Sequence, residues 1–297
     1  MKIKLLPAAC HSVSAACGAG IVLLISTSAE GQNLFVSEAT GNIYEFTSGG
    51  AKSTFASGSG PEGLAFSSAS DLFGADENAG SIYEFAPDGT RSIFASGMIY
   101  PEGLAFNSTS DLFVGGFSDP TIYEFSSGGA KSTFGSVLGY PFALAFNSGG
   151  NLFVADNAFG NIYEFTAAGI QSLFASGLQD PAGMAFNSAG VLFVADQGSG
   201  NIYEFTSDGT RSTFASGLNS PLALAFNHAG DLFEADFNSG NIYEFTSNGT
   251  RSTFASGLNN PVGLAFEPTP EPSAFWLLAV GTTAFLVRRN RKPVVIF

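Results

Sequence analysis

The chain has few residues that support covalent or redox chemistry. Its two cysteines, Cys10 and Cys17, both lie in the N-terminal segment that precedes Glu30. Residues 30–297 therefore offer no disulfide, catalytic thiolate or thiolate–metal chemistry. The one histidine in that range, His228, lies in a predicted turn. A Ser-His-Asp set needs that residue, and we interpret His228 as a turn residue without a catalytic role.

Positive charge is also scarce. Residues 33–266 contain five Lys or Arg against 22 Asp or Glu, a net charge of −17. Such a surface repels phosphate, so no nucleic-acid partner is expected. The middle of the chain has no long apolar run, although 45% of all residues are hydrophobic. This combination favours β-structure that is buried on both faces.

A repeat of about 40 residues organises the range 33–266, and a fixed period of this size is typical of stacked supersecondary units. The segment Asn-Ile-Tyr-Glu-Phe at 42–46 returns at 81–85, 121–125, 161–165, 201–205 and 241–245, with its first residue varied in two copies. A second segment, of the type Pro-x-x-Leu-Ala-Phe, recurs with the same spacing. It begins at Pro61, Pro101, Pro141, Pro181, Pro221 and Pro261.

Each repeat predicts four antiparallel strands. In one repeat these are 181–186, 191–195, 201–206 and the segment after Asp208-Gly209. Asp208-Gly209 predicts a type I′ hairpin turn with positive φ at both residues, which places Tyr203 opposite Phe214. One Phe per strand accounts for 24 of the 31 Phe residues. Buried Phe side chains are therefore expected to dominate the core.

The repeated region begins and ends partway through a four-strand unit. The first unit, from residue 33, lacks a first strand, and the last unit is a lone first strand at 261–266. A ring in which 261–266 pairs with 34–36 completes the first unit. We therefore predict an all-β domain at 33–266, a six-bladed β-propeller closed by its C-terminal strand. An open β-solenoid is the alternative, and it would leave bare edges.

The three strand segments resemble those of the NHL-repeat and SMP-30/gluconolactonase-like six-bladed propellers across residues 33–266. That group includes hydrolases, lyases and binding modules, so the resemblance implies a fold more than a function. In its gluconolactonase-like members, acidic and amide residues after the motif proline converge on a divalent cation. Glu62 and Glu102 match in kind, which implies a candidate Ca²⁺ site. The alternative is that both are solvated carboxylates. The other repeats have Phe142, Ala182, Leu222 and Val262 at this position.

Several aromatic residues are candidates for ligand binding, because they lie outside the one-per-strand pattern. The third repeat replaces its regular loop with an irregular one at 115–120, and irregular loops on a regular scaffold often bind ligands. These aromatic residues would present surfaces to a sugar or a peptide; the alternative is packing between blades. The candidates are Tyr100, Phe117, Tyr140, Phe142, Phe159 and Phe237.

The N-terminal segment predicts a signal peptide at 1–29. Lys2 and Lys4 precede an apolar stretch at 18–25, and small residues follow at 27–29. This order is typical of a cleavable export signal. A buried N-terminal helix is the alternative.

The C-terminal segment predicts a sorting signal. A Pro-rich linker at 267–273 contains Pro270-Glu271-Pro272, and an apolar stretch leads to a basic cluster within a predicted helix at 274–292. The order of these parts resembles the PEP-CTERM signal that exosortases recognise. It implies anchoring in the inner membrane before processing; a plain single-span anchor is the alternative. The basic cluster is Arg288, Arg289, Arg291 and Lys292.

Together these features predict an exported β-propeller at the cell surface or outside the cell. We expect a non-enzymatic binding or structural module, with an exosortase-type sorting enzyme as one partner and extracellular polysaccharide or protein as another. The alternative is a divalent-cation-dependent, lactonase-like hydrolase with its metal in the central channel.

Overall fold

The computed structural model describes residues 31–58, 60–137 and 139–268. These residues form 24 β-strands and one 3-10 turn at Asn157–Phe159, with no α-helix among them. Within these ranges, no helix has the length and apolar character of a membrane span. The predicted signal peptide at 1–29 and the predicted sorting helix at 274–292 lie outside the described residues.

The strands form six separate sheets of four antiparallel strands, which are the blades of a propeller. Blade 1 contains β24 (Pro261–Phe266), β1 (Leu34–Glu38), β2 (Ile43–Phe46) and β3 (Lys52–Ala56). Blade 2 contains β4 (Pro61–Phe66), β5 (Leu72–Asp76), β6 (Ser81–Phe85) and β7 (Arg91–Ser96). Blade 3 contains β8 (Pro101–Phe106), β9 (Leu112–Gly116), β10 (Asp119–Phe125) and β11 (Lys131–Ser136).

The remaining three blades repeat the same order. Blade 4 contains β12 (Pro141–Phe146), β13 (Leu152–Asp156), β14 (Asn161–Phe165) and β15 (Gln171–Ala175). Blade 5 contains β16 (Pro181–Phe186), β17 (Leu192–Asp196), β18 (Asn201–Phe205) and β19 (Arg211–Ala215). Blade 6 contains β20 (Pro221–Phe226), β21 (Leu232–Asp236), β22 (Asn241–Phe245) and β23 (Arg251–Ala255).

The predicted ring closure is confirmed. Strand β24 pairs with β1, with Phe266 opposite Leu34 and Leu264 opposite Val36. The last segment of the repeated region therefore completes the first blade, and the open solenoid is excluded. Because each blade runs from an inner to an outer strand, β4, β8, β12, β16, β20 and β24 surround a central channel.

The interfaces between neighbouring blades, here called seams, are built from Phe side chains. Phe73 of β5 packs edge-to-face on Phe94 in its own blade and on Phe106 in the next, with ring centroids 5.2 and 5.0 Å apart. The same arrangement recurs at the other five seams. Each fully buried Phe contributes roughly 1.5–3 kcal/mol of burial energy. The aromatic core predicted from the repeats is thus the contact that holds one blade to the next.

The hairpin turn differs from the prediction. In the Asp208-Gly209 turn of blade 5, only Gly209 has positive φ (81°), and the amide of Gly209 donates to the carbonyl of Thr206 (2.9 Å). This is a type I turn with a glycine bulge rather than type I′, and it pairs Tyr203 with Thr213, not with Phe214. The Asp208 carboxylate accepts the Thr210 amide (3.1 Å), which stabilises the turn with Asp208 outside the positive-φ region.

Candidate functional site

The inner strands begin at one end of the channel, here called the channel mouth. It consists of the six residues that follow the motif prolines. The inner strands approach closely because their third residue is Gly or Ala; a Cβ on Gly63 would collide with the carbonyl oxygen of Glu102. Adjacent blades therefore hold Glu62 and Glu102 side by side. The channel-mouth residues are Glu62, Glu102, Phe142, Ala182, Leu222 and Val262.

A third carboxylate, Glu77, joins these two. Carboxylate oxygens of Glu62, Glu77 and Glu102 all lie within 4.8 Å of one another. Glu77 follows the last residue of β5, in the loop that leads to β6. Sequence reasoning missed it, although it is the only acidic residue at this position of the six repeats. The sequence signal for Glu77 was this difference between repeats. At the same position the other five repeats have Ala39, Phe117, Asn157, Gln197 and Phe237.

Burial and mutual repulsion make these carboxylates resist ionisation. Burial, followed by the charge and hydrogen bond of Glu77, raises the pKa of Glu62 to about 7. Burial, followed by the charges of Glu62 and Glu77, raises the pKa of Glu102 to about 9. Glu102 is 6% exposed and its buried Oε2 has no hydrogen-bond partner among the described residues. Near neutral pH the three carboxylates therefore repel one another unless one of them keeps its proton or a cation binds among them.

The donor set fits a hard divalent cation. Carboxylate oxygens are the ligands that Ca²⁺ prefers, and the partnerless Glu102 oxygen is available to coordinate one. Ca²⁺ takes about six to eight oxygen ligands, so water or a bound ligand would complete its shell. The structure thus brings together the two predicted residues and adds a third; the metal site itself remains a prediction.

The opposite wall of the channel mouth is apolar. Ala182, Leu222 and Val262 form a buried cluster, against which Phe142 and Phe237 pack. The cavity between this wall and the carboxylates has a volume of about 110 Å³. Two of the six aromatic candidates, Phe142 and Phe237, thus pack against the channel wall, which is the alternative that the sequence left open.

The other four aromatic candidates lie in or next to the loops at the end of the blades where the inner strands begin, here called the rim. Tyr100, Phe117 and Phe159 are 48%, 41% and 59% exposed, and Tyr140 is partly buried. The rings of Phe117 and Tyr140 are 4.4 Å apart. Phe159 packs over Gly139, next to Tyr140. We call Tyr100, Phe117, Tyr140 and Phe159 the rim aromatics.

Backbone strain coincides with this rim. Tyr100 has φ = 41° and Ser118 has φ = 68°, both in the left-handed region that bulky L-residues avoid. The amide of Phe117 donates to the carbonyl of Tyr100 (2.9 Å), which holds the two loops together. The position of Tyr100 is left-handed in other repeats as well, at Asp180, Ser220 and Asn260, so its strain belongs to the repeat and does not by itself mark a binding site.

The acidic residues at the ends of the second strands are structural. Asp156 accepts hydrogen bonds from the backbone amides of Gly139 and Tyr140 (3.0 and 3.1 Å). Asp236 accepts the amide of Ser239 in the following turn and that of Asn219 from the preceding loop. These carboxylates tie the loops of the rim together and are satisfied without a cation.

A further buried carboxylate, Glu234, lies away from the channel mouth in β21. Its side chain is fully buried and neither of its oxygens has a partner among the described residues. Burial, and then the charge of Asp236, raises its pKa well above the usual value, although Arg251 opposes the shift. The equivalent residues are apolar or Gly: Val36, Gly74, Val114, Val154 and Val194.

Comparison with known proteins agrees with the fold and with the sorting signal. Residues 268–292 match the family described as the PEP-CTERM protein-sorting motif. This confirms the predicted PEP-CTERM motif, whose Pro270-Glu271-Pro272 triplet and basic cluster lie outside the described residues. No curated protein matches the chain significantly.

Solved propellers resemble the chain in fold. A nidogen in complex with laminin has 18% identity and a TM-score of 0.70, covering 80% of this chain and 99% of that one. A gluconolactonase from Xanthomonas campestris has 19% identity and a TM-score of 0.62, covering 68% and 77%. Virginiamycin B lyase from Staphylococcus aureus, solved with quinupristin, has 14% identity and a TM-score of 0.60, covering 81% and 94%. At these identities the similarity shows a shared fold alone.

Proposed function

We propose that this protein is an exported, surface-directed binding module whose channel mouth holds a divalent cation. The PEP-CTERM motif implies export and processing by an exosortase. In this proposal residues 1–29 are removed as a signal peptide, 33–266 form the propeller, and 267–273 link it to the sorting helix at 274–292. That helix anchors the chain in the inner membrane until cleavage delivers it to the cell surface or the medium.

One observation carries the cation-binding part of the proposal. Three carboxylates lie within 4.8 Å of one another, and one of them has a buried oxygen without a partner among the described residues. A divalent cation would neutralise the repulsion that raises the pKa of Glu62 and Glu102. Because protons compete with the cation, its affinity should rise between about pH 7 and pH 9.

The surroundings of the carboxylates favour binding over catalysis. The facing wall is apolar, and the cavity of about 110 Å³ leaves little room for a substrate inside the channel. The rim aromatics lie outside it, on the same face of the propeller. A bound cation beside exposed aromatic rings would present one surface to extracellular polysaccharide or protein.

A calcium titration of the full-length chain tests the cation site. Ca²⁺ should raise the melting temperature at pH 8, and Glu102→Gln should abolish that rise. Glu204→Gln is the matched control, because Glu204 accepts a hydrogen bond from Ser212 on an outer hairpin. If Ca²⁺, Mg²⁺ and Mn²⁺ all leave the melting temperature unchanged, the cation site is wrong.

Processing at the C-terminus has its own test. In cells that contain an exosortase, wild-type protein should shorten and leave the membrane fraction. Glu271→Ala should remain full length in that fraction on an immunoblot, because the recognised triplet is broken. Identical processing of both proteins would contradict sorting through this motif.

A second candidate function is a cation-dependent, lactonase-like hydrolase. It is favoured by the clustered carboxylates of Glu62, Glu77 and Glu102, since a cation held there would polarise the carbonyl of a lactone at the channel mouth. The gluconolactonase of similar fold supplies a probe, glucono-δ-lactone. Hydrolysis faster than in buffer, lost on chelation and in Glu102→Gln, would replace the binding proposal with this one. No acceleration with Ca²⁺ present would exclude it for this lactone.

A further inference from the structure

The seam between blades 2 and 3 is open on the face opposite the channel mouth. At the other seams, the turn glycine of one blade lies close to the outer-strand Phe of the preceding blade. A Cβ placed on Gly169 would lie 3.3 Å from the carbonyl oxygen of Phe134, and one placed on Gly209 would lie 2.9 Å from that of Phe174. A Cβ placed on Gly129 of blade 3 would meet no atom within 4 Å. The corresponding distance is 2.0 Å for Gly89, 3.7 Å for Gly249 and 3.9 Å for Gly50, so the third hairpin makes the loosest of the six contacts.

The opening forms a cleft of about 250 Å³, here called the seam cleft. The turns at 67–71 and 126–130 border it, and antiparallel strands place these turns at the end of the blades away from Glu62 and Glu102. A comparable cleft between blades 1 and 2 measures about 100 Å³. The seam cleft is smaller than the roughly 300–1,000 Å³ of sites for drug-sized ligands, so it fits one small unit.

The floor of the seam cleft is aromatic and its walls are polar. Phe94 and Phe106, both partly buried, pack against Phe73 at the floor. Hydroxyl groups stand on both sides, and those of Ser68 and Ser110 are 2.6 Å apart across the seam. The wall residues are Ser67, Ser68, Asp71, Glu84, Ser110 and Ser127.

One wall residue, the acceptor Glu84, lacks the hydrogen-bond partner that its equivalents have in blades 1 and 4. In blade 4, Asn151 donates to the carboxylate of Glu164 (2.7 Å), and Asn33 does the same for Glu45 in blade 1. Blade 2 has Asp71 instead of Asn, and an ionised carboxylate cannot donate. The carboxylate of Glu84 therefore has no hydrogen bond from the described residues, whereas that of Asp71 accepts one from the Ser67 hydroxyl (3.4 Å).

The serine at the edge of the cleft is held in a strained conformation. Ser110 has φ = 64°, whereas blades 4, 5 and 6 have Gly150, Gly190 and Gly230 at this position. The left-handed region disfavours an L-residue by roughly 1–2 kcal/mol. The fold thus keeps the hydroxyl of Ser110 at the cleft although the backbone of Ser110 is strained.

We propose that the seam cleft binds a single neutral sugar residue, as a free glycoside or as part of a chain. A pyranose presents C–H groups on its ring face, which suit the Phe floor, and hydroxyl groups at its rim. Those hydroxyls donate to Asp71 and Glu84 and exchange hydrogen bonds with the serines, which both donate and accept. The two carboxylates exclude an anionic ligand. This site is independent of the cation proposed at the channel mouth.

Saturation-transfer NMR on the full-length chain tests this proposal, with methyl β-glucoside, methyl β-galactoside and methyl α-mannoside as probes. At least one glycoside should receive saturation from the Phe protons of the floor. Asp71→Asn should weaken its binding about tenfold, because the new amide would donate to Glu84 as Asn151 does to Glu164. Asp231→Asn, the same change in blade 6, is the matched control and should leave binding unchanged.

Two more variants keep the test decisive. Ala69→Trp should fill the cleft from an exposed position and abolish binding without loss of folding. Glu102→Gln should leave glycoside binding intact; loss of binding there would move the ligand to the channel mouth and overturn the assignment. The proposal is also overturned if no glycoside binds, if Asp71→Asn and Ala69→Trp change nothing, or if n-butylammonium binds the cleft and no glycoside does.

Discussion

Blades 4–6 and blades 2–3 have the same strands but differ in what they carry. In blades 4–6, glycine occupies the left-handed position of the turn before each second strand (Gly150, Gly190 and Gly230), and carboxylates such as Asp156 are satisfied by backbone amides. Blades 2–3 hold the three clustered glutamates, the exposed Phe117, the strained Ser110 and the open seam. The comparison teaches that near-identical repeats build the ring, while a few substitutions in one arc supply its candidate chemistry.

The largest expected effect sharpens the contrast between scaffold and rim. Phe205 of blade 5 is 1% exposed, and Phe205→Ala should lower the free energy of unfolding by about 3–5 kcal/mol because it leaves a cavity. Phe159→Ala, at 59% exposure, should change it by less than about 0.5 kcal/mol. Denaturant unfolding measures both. Equal losses would mean that the rim aromatics are part of the core.

The next prediction concerns how the free energy of unfolding depends on pH, and it tests Glu102 at the channel mouth. With chelator present, the unfolding free energy of the wild type should fall as the pH rises from about 4.5 to about 9, because Glu102 has a higher pKa folded than unfolded. Glu102→Gln should match the wild type near pH 5 and exceed it by on the order of 3 kcal/mol at pH 9. Parallel pH profiles would show that Glu102 ionises freely.

Blade 6 offers an exception that tests the comparison. Glu234 is buried without a partner among the described residues in an otherwise regular blade, so Glu234→Val should stabilise the protein by about 1–3 kcal/mol. Val194→Glu, the reverse change in blade 5, should destabilise it by a similar amount. Calorimetry measures both. A destabilised Glu234→Val would reveal a partner that the carboxylate needs.

The smallest effect tests the strained turn. Ser110→Gly should stabilise the protein by about 0.5–1 kcal/mol, since Gly adopts φ = 64° without strain. Gly150→Ser in blade 4 is the mirror experiment and should destabilise by about as much. Chemical denaturation resolves the pair. If Ser110→Gly destabilises, the hydrogen bond to Ser68 outweighs the strain.

Sequence patterns predicted much of the fold because the repeats are periodic. The spacing of the motif prolines set the number of blades, and the unmatched strands at 34–36 and 261–266 predicted the closure that β24 makes. The turn class was wrong, since Asp-Gly suits both type I′ and a type I turn with a bulge. The side-chain hydrogen bond of Asp208, which stabilises the second form, depends on coordinates.

The candidate sites were less predictable. Glu62 and Glu102 follow motif prolines and were found by comparing repeats, whereas Glu77 is in another part of the repeat. It lies near them because β5 pairs with β4 so that Asp76 is opposite Pro61, which places the next residue, Glu77, at the start of the inner strand. The seam cleft left a weak sequence signal, Ser110 in place of glycine and Asp71 in place of asparagine, because its volume depends on how two blades pack.

Periodicity alone determined the ring, its six blades and its closing strand, because a repeated pattern of apolar and turn residues admits one way to pair every edge. The three-dimensional arrangement decided which carboxylates meet, which aromatic side chains face solvent and which seam opens. Distances between residues of different blades depend on packing displacements of a few ångströms, and no linear pattern encodes them.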